Sequence, residues 1–276
     1  ENYTVNAGNI RNQGFEFTFN FTPINTMLNQ AAVSGRKRGF VWRLDPNFGS
    51  VFNQLIDKVK PRNKPLQDEI KYTDYLTGKV YLAGRPVNTF YSYKFKGLNP
   101  ENGSPMFYNT DRYVMEGDQE VDMGEVYNNM DKEEVFRTVM TRSGCREPFL
   151  QGGISNYFGW RNWGLSVNVS YSVGSKIRLL KMYNKPTSAA PGPETNMRGE
   201  FVNRWQRPGD ELHTNVPGLL TQKEFENTLS RQFWFGKSYE FADNIWTMYD
   251  YSNLRVVSGD YVKLQGLSLR YVVPQR

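Results

Sequence analysis

Apolar and polar residues alternate along several stretches of the chain with a period of two. In residues 15–21 every odd position is phenylalanine and every even position is polar. Strict alternation of this kind is typical of a β-strand with one apolar face. A second strand is predicted over residues 40–48, whose even positions are bulky and apolar, although Pro46 weakens its end.

The longest alternation runs from residue 162 to residue 174, a length of roughly 43 Å at about 3.3 Å per residue. Its polar positions carry only Asn, Gly and Ser. A partner strand is predicted over 150–160, joined to it by a tight turn. Near the C-terminus the apolar phase slips between Leu264 and Leu267, which predicts a β-bulge at Gly266.

Short turns alternate with long irregular stretches. Two strand-like arms, near 89–96 and 106–110, surround a Gly/Pro/Asn-rich turn and predict a hairpin. The irregular stretches cover about 50–78, 111–147 and 184–250, and a short helix is predicted around 197–205. Connections this long are unusual in a compact domain.

Two environments fit a strand with one apolar and one polar face. A transmembrane β-barrel has lipid on one side, short turns at one end, long loops at the other and aromatic girdles. The candidate girdle residues are Phe158, Trp160, Trp163 and Tyr171. A soluble β-sandwich, as in a carbohydrate-binding module, shows the same alternation. The small uncharged polar positions favour the barrel, because a water-facing sheet usually carries Lys, Glu or Arg.

Composition excludes several other classes. Hydrophobic residues make up 38% of the chain and aromatic residues 15%, and no apolar run reaches the ~18 residues of a membrane-spanning helix. The net charge of +6 is dispersed among acidic residues, which argues against nucleic-acid binding. The single cysteine, Cys145, rules out an internal disulfide and a Cys-based zinc site, and we expect it to be structural.

The chain resembles the C-terminal part of the barrel in SusC/RagA-type TonB-dependent outer-membrane transporters of the Bacteroidetes. Five collinear segments carry the resemblance: NAGNIRNQGFEFTFNFTPI, LAGRPVNTFYSYKFKGLNPENGSPMFYN, FLQGGISNYFGWRNWGLSVNVSYSVGSKI, FVNRWQRPGDELHTNVPGL and SGDYVKLQGLSLRYVVP. They span most of the sequence.

The resemblance implies an all-β fold, namely a segment of a 22-stranded antiparallel transmembrane barrel with long extracellular loops and short periplasmic turns. Residues 1–276 would form part of one barrel domain, about eight strands with both edges open, without the plug, the TonB box and the final strands. The implied role is uptake of glycans or oligopeptides across the Gram-negative outer membrane. The implied partners are the rest of the transporter, a SusD-like lipoprotein, TonB, lipid and a second such complex.

No catalytic, cofactor or metal site is predicted, and we expect the protein not to be an enzyme. An acidic stretch contains several carboxylates that suit Ca²⁺, but it lacks the spacing of an EF-hand, and we expect a solvated loop. Its members are Glu116, Asp118, Glu120, Asp122 and Glu125.

Other residues in the irregular stretches have equally plain interpretations. Loop aromatics offer stacking surfaces for sugars or peptides, although we expect them to pack the loops together: Trp205, Trp234, Phe235, Tyr239 and Trp246. Arg204 and Arg207 are predicted to pair locally with Asp210 and Glu211, and His213 is expected in a surface loop. No ligand-binding residue follows from the resemblance.

Overall fold

A computed structural model describes residues 8–26, 39–58, 84–130, 132–182, 196–219, 223 and 245–273. Its main element is a six-stranded antiparallel sheet, which we call the wall. The wall consists of β1 (Gly8–Thr18), β2 (Phe21–Asn25), β3 (Phe40–Lys58), β10 (Leu150–Trp160), β11 (Trp163–Val173) and β14 (Tyr261–Tyr271). Their order across the sheet is β1, β3, β10, β11, β14, with β2 also paired to β3.

The wall is a meander with unequal connections at its two ends. A two-residue turn joins β10 to β11, and Arg161 within it has a positive φ of 52°. At the opposite end, long excursions connect β3 to β10 and β11 to β14. The predicted tight turn is therefore confirmed. The predicted irregular stretches are confirmed only as long connections, because residues 50–58 belong to β3 and residues 111–147 contain short strands and helices; residues 59–78 lie outside the described residues. Among the described residues β1 and β14 lie at the two edges of the sheet, so the sheet is open.

Strand β3 continues well past the predicted end at residue 48. Pro46 lies in its middle, and the carbonyl of Pro46 accepts a hydrogen bond from the Phe19 backbone N–H at 3.0 Å. The carbonyl and N–H of one residue in an antiparallel strand point to the same neighbour. The missing N–H of Pro46 therefore faces residues 19–20, where β1 and β2 are already interrupted. The proline removes no pairing that the sheet would otherwise have.

A slip in the pairing of β11 with β14 confirms the predicted bulge. Asn168 lies opposite Gly266, whereas Val169 lies opposite Leu264, so Gln265 has no opposite residue. This extra residue returns the apolar positions on both sides of the slip to one face of the sheet.

The excursions fold together into a second part of the molecule, which we call the loop domain (described residues 84–149, 174–182, 196–219 and 245–260). Its strands are β4 (Thr89–Tyr93), β5 (Phe95–Leu98), β6 (Pro105–Phe107), β7 (Tyr113–Glu116), β8 (Gln119–Asp122), β9 (Met140–Cys145), β12 (Lys176–Arg178) and β13 (Val256–Ser258). Its helices are α1 (Met123–Asn128), α2 (Lys132–Val139) and α3 (Ile245–Asp250), and short 3₁₀ turns span Gly199–Asn203, Asp210–Leu212 and Asn253–Arg255.

The predicted hairpin forms only in part. Strands β5 and β6 pair around the expected turn, but β4 pairs with β9 instead. The arm near 89–96 is thus divided between two small sheets, and neither belongs to the wall. This is one reason why the described wall has six strands rather than the expected eight or so. The helix expected around 197–205 is the 3₁₀ turn Gly199–Asn203.

The buried core lies in the loop domain. Aromatic and aliphatic side chains from β4, β6, β9 and all three helices pack into one cluster, and Trp246, at 1% exposure, lies inside it. In the wall, by contrast, most large apolar side chains are exposed in this chain; Leu267 is 65% exposed and Val262 79%. Large apolar side chains are therefore buried in the loop domain and mostly exposed on the wall.

Candidate functional site

The candidate functional surface is the wall, because its two faces have opposite chemistry. Residues that lie directly opposite one another in a sheet share a face. One such row crosses all five positions of the wall, from Phe17 through Phe48, Gly152 and Tyr171 to Val262. A parallel row runs from Leu44 through Asn156 and Val167 to Leu267. We call this side the apolar face.

The apolar face is graded along the strands. Its middle carries aliphatic side chains such as Ile154, Val169 and Leu264, whereas rings gather towards both ends. At the tight-turn end Trp42 stacks on Phe158 with ring centroids 6.0 Å apart, and Trp163 contacts Tyr271 at 4.6 Å. At the loop end Phe15, Phe17, Phe48 and Phe52 form a contiguous cluster. An aliphatic band between two aromatic belts is typical of an outer-membrane barrel surface.

The dimensions agree with this pattern. Strand β11 has 11 residues, which is about 36 Å at about 3.3 Å each. A tilt of about 40° leaves a height of about 28 Å, close to the ~25 Å of an outer-membrane apolar band.

One polar side chain on the apolar face has an internal partner. Asn156 accepts a hydrogen bond from the indole N–H of Trp42 through its side-chain oxygen, at 3.3 Å. An unpaired amide in an apolar medium costs several kcal/mol, about 4 to 8 on a hydrocarbon scale. Pairing Asn156 across the strands reduces that cost.

The opposite side, which we call the polar face, is lined mainly by small residues. Gly153, Ser155, Asn168, Ser170 and Gly266 lie in adjacent rows across β10, β11 and β14. Ser170 accepts a hydrogen bond from the Gln265 amide at 2.7 Å, which fixes the bulge residue to its neighbour. Charged side chains also occur on this face, at Glu16, Arg43, Asp45, Lys263 and Arg270. It is therefore more polar than the sequence of β11 alone suggests.

The segments of the loop domain are joined to one another by buried and half-buried polar contacts. Arg255 is 3% exposed; it pairs with Glu200 and donates a hydrogen bond to the Leu180 carbonyl at 2.6 Å. The Asp250 carboxylate accepts a hydrogen bond from the Met182 backbone N–H at 2.7 Å. The hydrogen bonds from Arg255 hold the pKa of Glu200 below its usual value. These contacts fix three separate segments of the loop domain to one another.

The carboxylates of the acidic stretch are distributed over a hairpin and the helix that follows it. Asp122 caps α1 by accepting a hydrogen bond from the Gly124 N–H at 2.8 Å, and it lies 3.6 Å from Arg112. Glu116 and Glu120 are on the β7–β8 hairpin, Asp118 is in its turn, and Glu125 is on α1. Within the described ranges no group of three or more His, Cys, Asp or Glu side chains could hold a metal ion.

The predicted local pairs around residue 207 are half right. Arg207 pairs with Asp210 at 3.8 Å, whereas Arg204 donates to the Phe201 carbonyl. Glu211 accepts instead from the indole N–H of Trp205 at 3.1 Å. His213 lies in an exposed position after this turn, as expected for a surface loop.

The loop aromatics that the structure describes are packing residues. Trp246 is buried in the core, and Trp205 packs over Gly103 and Gly218. Trp234, Phe235 and Tyr239 lie outside the described residues.

Cys145 has the character of a structural thiol. It donates a hydrogen bond to the Glu147 carboxylate at 2.8 Å. Burial, together with the hydrogen bond to Glu147, raises the pKa of the Cys145 thiol to about 11. The thiolate that a nucleophile or metal ligand requires is therefore scarce at neutral pH.

Sequence reasoning missed a stack of cations and rings in the loop domain. Arg146 and Arg178 lie over the ring of Phe90, at 5.7 and 5.5 Å from its centroid. Arg178 also lies over Tyr251 at 5.1 Å, and Lys181 lies over the same ring at 5.4 Å. The members come from separate segments, so no spacing in the sequence indicates them.

None of the described helices is long and apolar enough to cross a membrane.

The fold is similar to that of solved structures of a peptide transporter. They are the RagAB peptide transporter, with a TM-score of 0.56 and 17% identity, and the RagAB peptide importer in its closed-closed and open-open states, with TM-scores of 0.57 and 0.55 and 18% identity each. The matches cover 97%, 98% and 97% of this chain but only 23%, 24% and 23% of the solved chains. The chain thus spans about a quarter of their length. No protein-family model and no curated protein matches the sequence.

Proposed function

We propose that this chain is part of the barrel wall and extracellular loops of a SusC/RagA-type TonB-dependent importer in a Gram-negative outer membrane. The apolar face contacts lipid hydrocarbon, the polar face lines the lumen, and the loop domain lies outside the membrane. The chain carries out no bond chemistry. The likeness to the RagAB transporter structures supports this assignment at the level of the fold.

The observation that carries the proposal is the exposed apolar face. Its side chains on β14, including Leu264, Leu267 and Leu269, are each more than half exposed. Each Å² of apolar surface left in water costs about 25 cal/mol, so a surface of this extent needs a cover. Lipid supplies that cover at the right height, and the aromatic belts fit its interfaces.

A soluble carbohydrate-binding β-sandwich is the alternative. A sandwich covers the apolar face of one sheet with the apolar face of another. In the described part of the chain the other sheets are all two-stranded, and the buried core lies in the loop domain instead. The structure therefore favours the membrane over the sandwich.

The cargo and partners in this proposal follow from the family resemblance. The cargo is a glycan or an oligopeptide, a SusD-like lipoprotein covers the loop domain, and TonB supplies energy through other parts of the transporter. Two such complexes associate. Uptake of a glycan or oligopeptide by cells that carry the whole transporter tests the proposed energy coupling. We expect cells without TonB to lose this uptake, and equal uptake with and without TonB would refute the coupling.

The placement in lipid has a direct test in the full transporter, reconstituted in lipid vesicles. Nitroxide labels at Val167 and Leu267, on the apolar face, should collide readily with dissolved oxygen and rarely with a water-soluble nickel complex. Labels at their neighbours Asn168 and Ser268, on the polar face, are the matched controls and should not show that preference. Equal accessibility at the two sets of positions, or the reverse order, would refute the placement.

A further inference from the structure

The wall continues outward into the loop domain. Strand β9 leads into β10, β11 leads into β12, and β13 leads into β14, while β12 pairs with β13. The small sheets β4–β9 and β12–β13 therefore stand directly above the membrane-spanning strands. Their two faces extend the two faces of the wall.

The face of each residue in this extension can be assigned from close contacts. A Cβ on Gly259 would lie 3.2 Å from Ile177, so these two residues share a face. Gly259 is two positions before Tyr261, which lies opposite Ser172 on the polar face. Successive residues of a strand point to opposite faces, so Lys176 and Arg178 lie on the same side as the apolar face.

Gly144 and Phe90 belong to that outer side as well. A Cβ on Gly144 would lie 3.3 Å from the Cβ of Lys176, and Phe90 is the residue opposite Gly144. Arg146 and Arg178 both lie over the Phe90 ring, and Lys176 lies against Gly144, the residue opposite Phe90, so three cations lie near one another. We call Phe90, Arg146, Lys176 and Arg178 the basic cluster.

The positive charge of the basic cluster is poorly compensated. None of the ion pairs among the described residues involves its three cations. In the same part of the structure Nε and Nη1 of Arg178 are buried without a hydrogen-bond partner. Asp260 is close enough to Lys176 for its pKa to be lowered, mainly by Ser258 and in part by Lys176. Asp260 therefore offsets part of the charge of Lys176.

The height of the cluster matches the headgroup layer of a membrane. Lys176 follows Val173, the last residue of β11, by three positions. That separation is about 10 Å along the strand and about 8 Å in height at a tilt of about 40°. The headgroup region on each side of a bilayer is about 5 to 8 Å thick. Arg146, which is exposed, lies three residues before the exposed Phe149 at the edge of the apolar face.

We propose that the basic cluster binds the phosphate groups of an outer-leaflet glycolipid whose acyl chains lie on the apolar face below it. The proposal rests on the proposed placement of the wall in a membrane. Arg146 and Lys176 contact the phosphate through charge-assisted hydrogen bonds, which suit phosphate oxygens. Arg178, buried behind Phe90, adds positive potential and holds the ring on which Arg146 lies.

The position of the cluster favours a lipid over an acidic cargo molecule. The cluster is continuous with the side of the wall that faces hydrocarbon. A cargo molecule passes along the polar face, on the other side of the sheet. Rings and cations side by side at the edge of an apolar surface are typical of interfacial lipid contact.

The test uses the full transporter, purified in mild detergent and examined by native mass spectrometry. The probes are lipopolysaccharide, the same lipopolysaccharide after enzymatic dephosphorylation, and inorganic phosphate as a competitor. The variant Arg146→Gln/Lys176→Gln removes the two accessible cations and leaves the buried Arg178 in place. Lys263→Gln is the matched control, because it removes a cation from the polar face of the same sheet.

We expect the unaltered protein and Lys263→Gln to retain phosphorylated lipid equally. The double variant should bind it about 30-fold more weakly, from about 1 kcal/mol for each basic residue near an anionic surface. Equal retention of dephosphorylated lipid, or an unchanged affinity in the double variant, would overturn the proposal. If millimolar inorganic phosphate displaces the lipid, the cluster is a site for free phosphate instead. If an acidic peptide binds to the unaltered protein and to Lys263→Gln but not to the double variant, the cluster is a cargo site.

The outcome can be separated from that of the proposed function. If the labels at Val167 and Leu267 report hydrocarbon while the double variant retains lipid normally, the phosphate site is refuted and the membrane placement stands. If those labels report water, the membrane placement is refuted directly.

Discussion

Replacing Gly152 with alanine should destabilise the wall, because three strands meet closely at this residue. A Cβ there would lie 2.9 Å from the Phe48 Cα and 2.9 Å from the Tyr171 hydroxyl oxygen, and closer still to the Asn47 carbonyl. The Phe48 Cα and the Asn47 carbonyl belong to the backbone of β3, which cannot move without disturbing its pairing with β10. The Tyr171 hydroxyl also crosses over Gly152 to donate to that same carbonyl at 3.2 Å.

The expected loss has two contributions. Overpacking of a closely packed site costs about 1 to 3 kcal/mol. Displacing the Tyr171 hydroxyl removes a hydrogen bond with a net value of about 0.5 to 1.5 kcal/mol. We therefore expect Gly152→Ala to lower the free energy of unfolding by about 2 to 4 kcal/mol. Tyr171→Phe, which removes only the hydrogen bond, should account for the smaller part.

The assay is urea-dependent folding of the full transporter into lipid vesicles, followed by the heat-dependent shift of the folded band in electrophoresis. Gly266→Ala is the matched control in the same sheet, because a Cβ there would meet only the Asn168 amide at 3.8 Å. Equal midpoints for Gly152→Ala and Gly266→Ala would refute the argument from close approach.

Three further predictions concern the loop domain. Arg255→Leu should destabilise it by about 1 to 3 kcal/mol, because the Leu180 carbonyl loses a donor while Glu200 keeps Arg198 as a partner. Lys96→Leu, at an exposed pair, should cost under about 1 kcal/mol, and hydrogen exchange of the loop domain measures both. The Glu200 carboxyl has a lowered pKa in the folded state, so its contribution to the free energy of unfolding is present above its ordinary pKa and is lost as pH falls through the lowered value. The fall in stability at acid pH should therefore be weaker in Glu200→Gln, and an unchanged dependence of stability on pH would contradict this. Cys145 should react slowly with maleimide until pH approaches about 11, and Glu147→Gln should bring the reaction to lower pH; rapid labelling at pH 7 would show that the thiol is not protected.

The faces of the wall could be predicted from the sequence because the strand period is fixed at two residues. Alternation predicts one apolar side for each strand, and the register of the strands brings Phe17, Val167 and Leu269 to the same face of the sheet. The bulge near Gly266 was predictable for the same reason, since only an extra residue reconciles the two apolar phases.

Strand pairing in the loop domain could not be predicted in the same way. The arm near residue 90 alternates as a hairpin arm would, but β4 pairs with β9, some fifty residues away in the sequence. Packing of Tyr91 and Tyr93 into the core decides this partner, and no local signal reports it. The basic cluster was missed for a related reason, because folding alone brings Phe90, Arg146 and Arg178 together.

Strand β3 has a mechanical consequence. Its 19 residues span about 63 Å, or about 48 Å in height at a tilt of about 40°, against a hydrocarbon thickness of about 30 Å. In the proposed placement, β3 would extend from the tight-turn side of the hydrocarbon layer to a level above the outer lipid headgroups. A force applied to the protruding end of β3 would then be transmitted along one continuous strand to the opposite side of that layer.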